Sequence, residues 1–334
     1  MHLSLKGSLD RQPLTDRLGD RLLAEYGGAA AAYSLRALNG NGESVVRVRR
    51  ASDNSENDFT ALQVSSGEMV NWVNAQIVPP LDIRELDANG ERTGALVEAA
   101  AAYSLRNLSA SYTGNVVDVR RSSDDAVASF TAEEVSDGTL VAWVGASNDG
   151  FVTQWYDQSG NANHATQGTP ASQPKIVDGG SLVTGGIDFD GLNDKLDFTE
   201  ISSAGGFQIH LISTIANAGG FPIGSTTSAG NWLRYTASFI SSNINNTTYD
   251  VASPRDSSED IVTFARNSSD GYSVYRNGSQ AGSTTTAAGT FVFDKIGSRF
   301  NDVGFISGPI NELIIYTSDQ SSNRTAIEAN IGET

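Results

Sequence analysis

From Phe151 onward, apolar residues fall in short runs that alternate with polar ones, and Gly, Ser or Asn closes each run. A period of two parted by turn residues predicts strands over Phe151–Tyr156, Ile187–Phe189, Phe207–Thr214, Trp232–Phe239, Ile261–Ala265, Tyr272–Arg276, Phe291–Ile296 and Pro309–Tyr316. That spacing suits a two-sheet jelly roll. The two ends read as helix. Pro13 to Tyr26 has Pro at N1, a leucine stripe at Leu14, Leu18 and Leu22, and a Gly27-Gly28 stop; Asn323 to Ile331 ends at Gly332.

Between these regions the pattern is written twice. Ala29-Ala30-Ala31-Ala32-Tyr33-Ser34-Leu35-Arg36 returns seventy positions on as Ala99-Ala100-Ala101-Ala102-Tyr103-Ser104-Leu105-Arg106. Arg49-Arg50, Phe59-Thr60-Ala61 and Trp72 return seventy-one positions on as Arg120-Arg121, Phe130-Thr131-Ala132 and Trp143. Each copy reads as strand, turn, strand and short helix. Thr131-Ala132-Glu133-Glu134 matches a capping box, and Thr60-Ala61-Leu62-Gln63 is its counterpart. Trp72 and Trp143 close the copies as core anchors. Residues 75–98, with Pro79-Pro80 and a short strand at Asp82 to Leu86, read as a linker.

Composition narrows the function classes. The net charge of −17 repels phosphate backbones and anionic headgroups, so neither nucleic acid binding nor membrane insertion is expected. The chain has no cysteine, which excludes disulfides, and its three histidines, His2, His164 and His210, are too scattered for a metal site. Met1 is followed by polar residues rather than an apolar run of secretory length, which predicts synthesis in the cytoplasm without export.

Tyr156-Asp157-Gln158-Ser159-Gly160-Asn161-Ala162-Asn163-His164, with Tyr112-Thr113-Gly114 and Arg120-Arg121-Ser122-Ser123-Asp124 ahead of it, resembles the opening of the catalytic domain of B-type α-L-arabinofuranosidases over about residues 101–167. Later segments such as Phe189-Asp190-Gly191 and Tyr275-Arg276-Asn277-Gly278 resemble laminin-G or lectin modules. Chains combining these pieces resemble structural proteins of marine bacteriophages. The resemblance implies a mostly β fold: a concanavalin A-like jelly-roll β-sandwich preceded by a duplicated strand-turn-strand-helix unit and an N-terminal helix. The expected division is an attachment segment at 1–28, the first repeat unit plus linker at 29–98, and the second unit continuing into the sandwich at 99–334.

The resemblance also places the family's catalytic acid in a Gly-Gly-Asp-Asn segment. Here the corresponding stretch is Ile296-Gly297-Ser298-Arg299, with Arg299 where the aspartate falls. The family's nucleophilic glutamate belongs to a mid-domain strand, and Trp232 to Asp250 contains no Glu. Asp302 and Asp250 remain as substitutes outside the family's pattern. This reading expects no enzyme. It expects a bacteriophage virion protein, a fibre, spike or head decoration, that displays a lectin-like domain. Its partners are other virion proteins, host-surface glycan and sister subunits in a homo-oligomer such as a trimer. The alternatives are an arabinofuranosidase-like glycoside hydrolase and a purely architectural capsid cement.

Glycan binding is assigned to Trp232, Arg234, Tyr235, Arg299, Asn301 and Asp302, an aromatic platform with amide and charged groups for hydroxyls, with Trp232 exposed as a strand start. Asp157, Gly160, Asn161 and His164 form a tight turn. It either satisfies its own polar groups or orders a sugar or Ca²⁺; no other cofactor is expected.

Overall fold

Alternating positions become antiparallel strand pairs at 44–60 and at 115–131. A computed structural model describes residues 35, 44–49, 56–65, 69, 99–109, 112–215, 219–253 and 258–331, and divides the chain into two units, Met1–Val78 and Pro79–Thr334. In the first, β1 (Ser44–Arg49) pairs antiparallel with β2 (Glu56–Thr60), from Val46 opposite Phe59 to Arg49 opposite Glu56, with an irregularity between Ser44 and Val46. Helix α1 (Ala61–Ser65) follows, and the Gln63 N–H donates to Thr60 Oγ1 at 3.3 Å while Gln63 Oε1 accepts from the Thr60 N–H at 3.0 Å. The expected Pro13–Tyr26 helix, the 75–98 linker and Trp72 lie outside the described residues.

The second unit opens with β3 (Ala99–Ser104), β4 (Asn115–Arg121) and β5 (Val127–Thr131). The β4–β5 ladder runs from Val117 opposite Phe130 to Arg120 opposite Val127, with its irregularity between Asn115 and Val117. Thr131 and Glu134 complete a capping box at α2 (Ala132–Ser136), and α3 (Thr139–Val144) brings Trp143 edge-on to Phe130 at 5.4 Å. Then come β6 (Gly150–Trp155), β7 (Ala165–Thr166), β8 (Lys175–Asp178), β9 (Ser181–Leu182), β10 (Ile187–Asp190), β11 (Leu196–Ser203), β12 (Phe207–Ser213), β13 (Ile223–Gly224) and β14 (Trp232–Tyr235). The chain ends through β15 (Phe239–Ile244), β16 (Thr247–Ala252), β17 (Asp260–Arg266), β18 (Gly271–Arg276), β19 (Ser279–Thr286), β20 (Phe291–Ile296), β21 (Ser307–Tyr316) and α4 (Arg324–Ile331). The unit is mostly β, and among the described residues every strand pairing in it is antiparallel.

Two layers result. One runs β3, β21, β12, β17, β18, β19; the other runs β5, β4, β6, β7, β11, β20, β13, β14, β15, β16. β8 and β10 join them by pairing with β6 and β21 in turn, so the sandwich is nearly closed into a barrel. Aromatic rings fill the space between layers: Phe207 stacks on Phe291 at 5.2 Å, Tyr235 on Phe264 at 6.4 Å, and Tyr103 meets Trp155 at 5.6 Å. β12 is buried along its whole length because its second face is covered as well. There, Ile212, Ile314 and Tyr316 pack under Ile327 and Ile331 of α4.

The buried Arg266 guanidinium closes a corner of the core. It lies over Phe207 and donates to the carbonyls of Gly205, Ser203, Ala287 and Gly289, and burial pushes its pKa down. His210, equally buried, meets Thr263 Oγ1 at 3.0 Å and Gln208 Oε1 at 3.1 Å.

Candidate functional site

Three neighbouring strands, β11, β20 and β13, carry a cluster of charged side chains. Asp197 on β11 faces Lys295 on β20, which faces Gly224 on β13. A segment from Ser298 to Gly304 folds back over this ladder. Only glycine at 224 admits the crossing, since a Cβ there would stand 2.3 Å from the Ser298 oxygen and 2.5 Å from the Arg299 Cα. The segment turns at Asn301 and Asp302, both with positive φ, and brings Arg299 opposite Val303.

That turn delivers Asp302 to two ammonium groups. Lys195 lies 3.0 Å from Asp302 and 3.1 Å from Asp197, and Lys295 contacts the same two carboxylates. Burial pushes the Asp302 carboxyl up, but bonds and charge from Lys295 and Lys195 outweigh it and hold it below the usual range. Next to Lys195, Asp194 has the opposite fate: burial and the charge of Asp190 push it up to about 7.

Beside the lysines, Phe221 is the hub of an aromatic and cationic cluster. Trp232 packs edge-on to it at 5.2 Å, and the guanidinium carbons of Arg299 and Arg234 lie 4.6 and 5.3 Å from the ring centre. A Cβ on Gly304 would stand 2.3 Å from the same ring, so the loop clamps Phe221 in place.

Two further carboxyls stand on these adjacent strands one rung along. Ile201 on β11 faces Phe293 on β20; Glu200 precedes the first and Asp294 follows the second, so both fall on the same side of that rung. Consecutive threonines after β13 hold them. The Thr226 N–H donates to Asp294 at 2.7 Å, its hydroxyl donates to the other Asp294 oxygen, and the Thr227 hydroxyl donates to Glu200 at 2.9 Å. Asp294 is buried and Glu200 exposed. Among the described residues neither is bound to a lysine or arginine.

The structure therefore gathers Trp232, Arg234, Arg299, Asn301 and Asp302 at one corner but changes the part each can play. Trp232, expected to be exposed as a strand start, is 7% exposed because Phe221 covers it. Tyr235 is wholly buried against Phe264, which removes its side chain from any ligand. The strand expected over Trp232–Phe239 is two strands, broken where the Thr236 N–H bonds the Phe239 carbonyl. Asp250 stands on β16, separated from β20 by β15, β14 and β13. Sequence reading missed Glu200 and Asp294. The Glu200 strand mixes polar and apolar positions without clean alternation, and only strand pairing brings the two together.

The Asp157 turn is saturated from within. Its Oδ1 accepts from the Ala102 and Ser159 N–H groups, its Oδ2 accepts from the Ser159 hydroxyl and the Asn163 N–H, and His164 Nδ1 accepts the Asp157 N–H. Asn161 bonds the Ala99 carbonyl at 2.8 Å, and Gly160 has φ +92. Among the described residues no group of three or more His, Cys, Asp or Glu could hold a metal, and no helix is long and apolar enough to cross a membrane. A pocket of about 760 Å³, lined by Asn107, Val135, Val183 and Asn311 among others, contains neither carboxyl pair.

With this geometry in hand, comparison with known proteins gives a consistent direction. The family profile "Alpha-L-arabinofuranosidase B, catalytic" matches residues 93–184. No curated protein matches the chain. Among solved structures, an arabinofuranosidase complexed with arabinofuranosyl-α-1,2-xylobiose is similar at 17% identity and TM-score 0.50. A GH54 α-L-arabinofuranosidase mutant soaked with 4-nitrophenyl α-L-arabinofuranoside is similar at 16% identity and TM-score 0.50. Each likeness covers 70% of this chain and 62% of the other, so the chain spans less than two thirds of those proteins, and at such identity the likeness is one of fold.

These findings overturn the display reading. The expectation of a bacteriophage virion protein, whether tail fibre, capsid decoration or cement, and of no enzymatic activity, rested on the missing family carboxylates. The segment that carries the resemblance matches a catalytic domain, and the fold around it is shared with arabinofuranosidases.

Proposed function

We propose that the chain is a glycoside hydrolase of arabinofuranosidase type, acting on arabinofuranose-containing polysaccharide. The fold is read as the concanavalin A-like, jelly-roll kind, with residues 29–98 a shortened copy of its opening unit. The observation that carries this reading is the placement of Glu200 and Asp294 on adjacent strands, each held by one of two consecutive threonines, in a sandwich whose opening matches the catalytic family.

A retaining glycosidase needs two carboxyl groups ~5–5.5 Å apart, one to attack the anomeric carbon and one to protonate the leaving oxygen. Asp294 takes the first role. Two bonds from Thr226 fix its rotamer, and its remaining lone pairs form the bond to the sugar as the glycosidic bond breaks. Glu200, exposed and free to meet solvent, gives its proton to the departing oxygen. It then takes one from the water that displaces Asp294. Arg234, Arg299, Asn301 and Asp302 form the neighbouring rim for sugar hydroxyls, while Trp232 supports that rim from beneath Phe221.

The test is hydrolysis of 4-nitrophenyl α-L-arabinofuranoside by the full chain. Turnover is expected, and Glu200→Gln or Asp294→Asn is expected to lower kcat by a factor on the order of 10²–10⁴. Absence of turnover by the intact chain, or a wild-type rate in both variants, overturns the assignment.

A further inference from the structure

The chain has 39 acidic residues against 22 basic ones, so an arginine that lacks a carboxylate is unusual in it. Arg47, Arg106, Arg120, Arg121, Arg276 and Arg324 each form an ion pair. Arg266 is met by four carbonyls. Arg234 and Arg299 have neither arrangement. Among the described residues no carboxylate or carbonyl bonds either guanidinium, and the Nε of each is buried without an acceptor.

The two arginines share one ring. Both lie over Phe221, which Trp232 and the Gly304 loop pin from the side, so the guanidiniums are positioned before any ligand arrives. Asp197 and Asp302 in the same corner are already engaged, shared between Lys195 and Lys295. The corner therefore sets four cations beside Asp197 and Asp302, with Glu200 and Asp294 on the same strands, in a protein whose net charge is −17. Forked guanidinium donors are matched to planar or tetrahedral oxyanions. Leaving two of them without a partner costs stability unless something from outside fills the role.

We infer that Arg234 and Arg299 receive the negatively charged substituent of an acidic glycan, a uronate carboxylate or a sulfate ester. This rests on the glycan-directed reading above and adds the charge of the substrate to it. The pair is too small a patch to hold a polyphosphate against a net charge of −17, and it adjoins the proposed carboxyl pair through β13 and β20.

Affinity electrophoresis of the full chain through gels containing neutral arabinan, polygalacturonate or dextran sulfate separates the cases. Stronger retardation is expected in at least one acidic gel than in arabinan, and the gel that retards most identifies carboxylate or sulfate. Arg234→Met and Arg299→Met are each expected to weaken that binding about tenfold or more, with Arg234→Lys and Arg299→Lys intermediate because charge remains without the fork. Lys175→Met removes the same charge from a residue engaged by Asp149 and Asp178, and should bind like the wild type. Equal retardation in neutral and acidic gels, no retardation in either acidic gel, or wild-type binding by all four arginine variants overturns the inference. Acid-glycan binding without turnover of the aryl glycoside would sink the hydrolase reading and leave this one standing.

Discussion

Acidification should destabilise the sandwich through one side chain. His210 is fully buried on β12, edge-on to Tyr316 at 6.0 Å and bonded through both ring nitrogens. Burial, aided by the charge of Arg324, pushes its pKa down to about 3. In the unfolded chain it returns to its ordinary value near ~6.5. A pKa lowered by folding contributes stability that is complete above the unfolded value and is lost as pH falls toward the folded one. Each pH unit below ~6.5 therefore removes up to about 1.4 kcal/mol, and the full span to pH 3 about 5 kcal/mol, comparable to the whole stability of a marginal domain. The assay is urea unfolding of the wild type and of His210→Gln at several pH values between 7.5 and 4. The carboxylates titrate in both proteins and cancel in the difference. The wild-type curve should fall more steeply, by about 2 kcal/mol at pH 5. Parallel curves would refute the argument, because they would mean that His210 is protonated at little cost in the folded state.

Two other substitutions test the site's scaffold. Asp194 has a folded pKa raised to about 7 by burial and by Asp190, so its stabilising proton is present below the unfolded carboxylate range and is lost as pH rises through neutrality. Asp194→Asn should gain about 1–2 kcal/mol over the wild type at pH 8 relative to pH 5 in the same unfolding assay, and an equal difference at both would count against it. Gly224→Ala places a methyl 2.3 Å from the Ser298 oxygen. It should cost about 1–3 kcal/mol, seen as a lower Tm, and should weaken glycan binding because the 298–304 crossing is displaced.

Much of the fold was legible because it follows from local pattern. Phe291–Ile296 was bounded by residues that alternate and then break at Gly297, and the capping box at Thr131 and Glu134 specified where a helix starts. Leu196–Ser203 escaped because Asp197, Thr199 and Glu200 interrupt its apolar positions, and the ladder with β20 carries an irregularity between Asp197 and Ile201. Trp232 misled for a related reason. Gly230 and Asn231 ahead of it do mark a strand start, but the ring that buries it, Phe221, arrives from a segment that precedes β13.

The same logic explains why the site residues divide as they do. Arg299, Asn301 and Asp302 share a turn, and sequence adjacency alone could group them. Glu200 and Asp294 are joined only by strand order, β11 beside β20, and by the threonines that follow β13. An irregular strand pairing decides which side chains share a face. The extra residues of β11 between Asp197 and Ile201 carry Glu200 toward the Thr226–Thr227 segment that also binds Asp294, and leave Asp197 with the lysines. Two sets of carboxyls thereby gain opposite environments within one strand: Asp197 and Asp302 are bound by ammonium groups, while Glu200 and Asp294 are met by hydroxyl and amide donors. The proposed hydrolysis rests on the second set.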